Sequence, residues 1–80
     1  MSADLSLEQY ETAIGELSVK ALRLGGEELL DKVEGRMGVA MRHCQRIRDG
    51  VFQLLPGIAR EIDQSLQSAR DLLEQHKVTP

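Results

Sequence analysis

The sequence predicts an all-α fold, a small antiparallel three-helix bundle, and three observations lead to it. Apolar residues recur at alternating spacings of three and four along three segments, the signature of helices that bury one stripe. Gly25-Gly26 and Pro56-Gly57 punctuate those segments, and connections this short make successive helices antiparallel. Tyr10 and Phe52 are the only aromatic residues, and there is no Trp. The core must therefore be built from Leu, Ile, Val, Met and Ala, which suits helix packing better than a sheet. One variant fits the same pattern: a long helical hairpin with a kinked second arm, in which the second and third segments form one bent rod.

The first helix is expected over about residues 6–24. Ser6 with Gln9 three residues on matches a capping box, and Leu5 with Tyr10 a hydrophobic staple. Its seam is Leu7, Tyr10, Ile14, Leu17, Ala21 and Leu24, and Gly25-Gly26 closes it because glycine accepts the left-handed conformation. The second helix is expected over 27–54. Glu27 and Glu28 suit the positive end of its dipole and Arg42, Arg46 and Arg48 the negative end. Its seam is Leu30, Val33, Met37, Ala40, Cys44, Ile47, Val51 and Leu54. Asp49-Gly50 is a turn signal inside this stretch, but Pro56-Gly57 reads as the firmer stop. The third helix, over 57–76, carries Ile58, Ala59, Ile62, Leu66, Ala69, Leu72 and Leu73. A frayed tail is expected at Val78-Thr79-Pro80. The seams should merge into one core, with Leu17, Met37, Cys44, Ile62 and Leu66 well buried.

Size and charge bound the function. The 80 residues are enough for one domain, 1–80. The net charge of -3 gives no support for a polyanion partner. One cysteine, Cys44, allows neither an internal disulfide nor a four-thiolate metal site, and fits a reducing cytoplasm. Met1-Ser2-Ala3-Asp4 is acidic, unlike the basic start of a signal peptide, and no apolar run is long enough to cross a membrane. A cytoplasmic protein is expected.

Each candidate site has a plain structural reading beside its functional one. Cys44 sits on a seam and reads as a small buried hydrophobe rather than a reactive thiol. His43 and His76 are not at the four-residue spacing of a helical metal site. No nucleophile stands beside a base and no glycine-rich loop follows a strand, so no enzyme, cofactor, metal or small-molecule substrate is expected. Arg36, Arg42, Arg46 and Arg48 have no acidic residue among them. They could meet phosphates or an acidic partner helix, but a solvated or salt-bridged face accounts for them more simply. Gly15, Gly35 and Gly38 fall inside helical patterns, where each costs about 0.8–1.0 kcal/mol relative to Ala. Gly15, Val19 and Leu22 make one smooth off-seam patch, and Gly35, Gly38 and Val39 another. Either these glycines are tolerated on a solvated face, or a partner helix approaches there. The off-seam apolar residues Val19, Val39 and Phe52 favour docking. With Arg42 and Arg46 added, these are the candidate partner-binding residues.

Tyr10-Glu11, Ala13-Ile14, Glu16-Leu17, Gly26-Glu27, Arg42, Cys44 and Gln45 together resemble the small subunit of exonuclease VII, a short acidic helical hairpin, once at least two gaps are opened. The repeated Leu-Glu pairs of that family are missing, and this chain goes on to a third helix. The chain is also similar in size and class to the small helical co-chaperones of bacterial type III secretion. The expectation is therefore a helical protein–protein interaction module, an accessory subunit or co-chaperone that binds partner helices or self-associates as an oligomer. The alternative implied by the first resemblance is a noncatalytic subunit of a nucleic-acid enzyme.

Overall fold

The computed structural model describes residues 5–78. Met1–Asp4, read above for a signal peptide, and Thr79 and Pro80 of the expected tail lie outside the described residues. Three helices pack pairwise against one another: α1 (Leu7–Arg36), α2 (Gly38–Arg48) and α3 (Pro56–Val78). The described residues contain no strand. This is the all-α three-helix bundle the periodicity predicts.

α1 is two arms. Ser6 caps its start: Gln9 N–H donates to Ser6 Oγ at 3.2 Å and Ser6 N–H to Gln9 Oε1 at 2.8 Å, the reciprocal pair of a capping box. The helix is interrupted at Gly26, whose φ of 70° and ψ of -162° lie in a region essentially reserved for glycine. Gly25 is needed for a different reason. A Cβ there would stand 2.6 Å from Leu29 Cβ, closer than two carbons can approach. The chain reverses at this pair. Arg48 meets Glu11 through a two-pronged ion pair, with Nε donating at 3.0 Å. A straight helix would hold those residues about 55 Å apart, beyond the 42 Å length of the whole molecule. Residues 7–25 thus run antiparallel to 27–48.

That second arm is broken once more, where the sequence pattern shows nothing. Met37 leaves helical geometry (φ -92°, ψ 8°). Ser65 of α3 fills the rung that opens: its hydroxyl donates to Arg36 C=O at 2.8 Å and accepts from Ala40 N–H at 3.2 Å. Those two backbone groups would bond each other in an unbroken helix. A side chain inserted into the ladder is a recognised cause of a helix bend.

The second helix ends at Arg48, not at residue 54 as the apolar pattern suggests. Gly50 has φ 82°. Its N–H donates to Ile47 C=O at 3.1 Å, and Val51 N–H donates to Arg46 C=O at 2.8 Å. This is the Schellman closure, and it satisfies backbone groups that a few more apolar contacts would not. Val51, expected on the seam, is 68 % exposed. Asp49–Leu55 form the connection, and Pro56 opens α3 as its first residue, where its missing N–H costs nothing. Contacts between Arg36 and Ser68 and between His43 and Glu61 show α3 running back along α2, so the single bent rod is ruled out.

The core forms where the seams meet. Leu17, Met37, Cys44, Ile62 and Leu66 are all buried, together with Tyr10, Ala21, Val33, Ala40, Ala69 and Leu73. Leu24 departs from its seam and is exposed, while Leu29, off the expected seam, is buried. The tight reversal turns Leu29 against Gly25.

Candidate interaction surfaces

The first arm carries two faces. Its inner face is filled by the core. On its outer face Val19 is 53 % and Leu22 48 % exposed, and Gly15 is exposed with open space around the position of a Cβ. A shallow open depression runs along this face, lined by Thr12, Gly15, Glu16, Val19, Lys20 and Arg23. The sequence-expected patch of Gly15, Val19 and Leu22 is thus brought together on one helix surface, with one acidic and two basic side chains beside it.

The second expected patch is less coherent. Gly35 and Val39 are exposed, but Gly38 is half-buried and is the first residue of α2, after the break at Met37. It is therefore not interior to a helix, and the cost assigned to a mid-helix glycine does not apply in full. Val39 borders a separate depression between α2 and α3 with Arg36, Glu61, Gln64 and Ser65.

The arginines are mostly engaged within the fold. Arg36 Nη1 donates to Ser68 Oγ at 3.1 Å. Arg48 grips Glu11. The Arg46 guanidinium lies 5.4 Å from the Phe52 ring centre, a cation–π distance. Arg42 alone of the four has no hydrogen bond, ion pair or ring contact among the described residues. Phe52 is half-buried, with the His43 ring 5.5 Å from it on centre at a 58° tilt. That side chain anchors the 49–55 connection. It is not a free apolar contact of the kind expected from its off-seam position.

His43 is the feature that pattern reading missed. Its Nε2 lies 2.6 Å from Glu61 Oε1, and its Nδ1 is buried with no hydrogen-bond partner. With Nε2–H donating to the carboxylate, Nδ1 is left an unpaired acceptor. The i-to-i+1 neighbourhood of His43 and Cys44 gives no hint of Glu61, which is eighteen residues away. Cys44 is buried, and burial, with the nearby Glu11 charge, pushes its thiol pKa up while Arg48 pulls it down. A thiol held protonated is a poor nucleophile. Among the described residues no three of His, Cys, Asp and Glu converge as metal ligands. No described helix is long and apolar enough to cross a membrane.

No protein-family model matches the chain, and neither a curated protein nor a solved structure matches it.

Proposed function

We propose that this chain is a helical interaction module, an accessory subunit or co-chaperone that acts by docking against a partner helix. The observation that carries this is the outer face of the first arm, where Val19 and Leu22 stand exposed beside the open surface over Gly15. The inner seam of that arm is already filled, and neither side chain belongs to the buried core. An exposed glycine in a helix weakens it and lets another helix approach closely. The alternative, a noncatalytic subunit of a nucleic-acid enzyme, rests on the arginines. Arg36, Arg46 and Arg48 have partners inside the fold, which leaves Arg42 as a lone candidate phosphate contact.

A photo-crosslinking residue placed at Val19 or Val39 in the cell tests the reading, with exposed Gln67 as the control. A discrete protein adduct from Val19 or Val39, absent from Gln67, is expected. Melting of the purified chain should also rise with protein or partner concentration, because binding to the folded state alone raises apparent stability. No adduct from either site, together with a concentration-independent melt, would overturn it. Binding to DNA or RNA that weakens steeply with salt would favour the alternative.

A further inference from the structure

The outer face of the first arm is complementary to itself, and we infer that its occupant is a second copy of this chain, paired antiparallel through residues 12–23. The inference rests on the interaction-module reading and names the partner. A helix turns about 100° per residue, which fixes the lateral order around Val19. Gly15 and Leu22 fall on one flank of Val19. Glu16, Lys20 and Arg23 fall on the other, and all three of those lie beside the same depression.

Symmetry then decides the orientation. In an isologous pair the same patch meets itself. When two such helices run antiparallel, the two-fold axis lies across them and like flanks meet. When they run parallel, opposite flanks meet. In the antiparallel pair Glu16 of one copy falls between Lys20 and Arg23 of the other, and the same contact recurs by symmetry. On the opposite flank, in the same register, Leu22 of one copy lies over Gly15 of the other, where no atom occupies the space a Cβ would take. One register therefore satisfies both flanks, with charge against opposite charge on one side and the largest exposed residue against the smallest on the other. In a parallel pair the charged flank would face Gly15 and Leu22, with no countercharge beside it. The contact is confined to one helix face, so the dimer belongs to the small, transient class of interfaces.

Charge reversal tests this with an internal rescue. Sedimentation equilibrium of the intact chain up to high-micromolar concentration should show a reversible monomer–dimer equilibrium. Glu16→Arg makes the flank wholly basic, and Lys20→Glu with Arg23→Glu makes it wholly acidic. Each variant alone should associate at least roughly tenfold more weakly than the natural chain, while circular dichroism shows a helical fold. Mixed in equal amounts, the two should form a heterodimer. Gly15→Leu, which fills the space under Leu22, should also abolish pairing while the helix persists. A strictly monomeric natural chain overturns the inference, as does a dimer indifferent to these substitutions or a mixture that fails to pair. A crosslink from Val19 to a different protein would overturn the second copy as occupant and leave the interaction-module reading standing. Absence of any crosslink from Val19 or Val39, together with a concentration-independent melt, would remove both.

Discussion

The two faces of the first arm are built from one stretch of helix and have opposite fates. Tyr10, Leu17 and Ala21 are buried against the second arm and α3, while Gly15, Val19 and Leu22 alternate with them in sequence and face outward. Both faces carry apolar residues. They differ in what opposes them: the inner face meets other seams of Leu, Met and Ile, and the outer face meets nothing among the described residues. The comparison teaches that apolar content alone does not locate the core of a small bundle. Periodicity locates it, and the apolar residues left over mark a candidate surface.

Substitutions on the two faces should therefore separate stability from association. Leu17→Ala removes a buried side chain from the inner face and should cost about 2–5 kcal/mol by urea titration. A loss below about 0.5 kcal/mol would show that the seam does not face a core. Gly26→Ala attacks the reversal that brings the inner face against the second arm. With φ at 70° and ψ near extended, the expected cost is about 1–3 kcal/mol, read from the same titration. Ser65→Val replaces the hydroxyl that bridges Arg36 and Ala40 and leaves two backbone groups without partners, for about 1–3 kcal/mol. On the outer face the sign reverses. Gly15→Ala meets open space and should raise the stability of the dilute chain by about 0.4–1 kcal/mol. A loss there would mean that the helix is strained at Gly15 in a way the geometry does not show.

The fold class was legible because a bundle writes itself as a three-four repeat, and the capping box at Ser6 and the reversal at Gly25-Gly26 are local events with local residues. The end of the second helix was not. There the apolar pattern through Leu54 and the turn signal at Asp49-Gly50 competed, and the left-handed Gly50 closure won by satisfying backbone groups. The break at Met37 was invisible for a different reason: its cause, Ser65, lies on another helix. The same holds at the candidate surfaces. The patch of Gly15, Val19 and Leu22 could be read from spacing, because one helix presents all three. The fates of Arg36, Arg46, Arg48 and Phe52 depended on Ser68, Glu11 and the 49–55 connection, which no single-helix pattern contains.

The outer face of the first arm should bind while the inner face folds. Val19→Asp tests this most directly, measured by sedimentation equilibrium and by urea titration of the dilute chain. Val19 is exposed and outside the buried core and Asp differs little from Val in helix propensity, so dilute-chain stability should stay within about 0.5 kcal/mol of the natural chain, while self-association is lost. A variant that unfolds would place Val19 in the core, and a variant that still associates like the natural chain would move the binding surface elsewhere; either result contradicts the account.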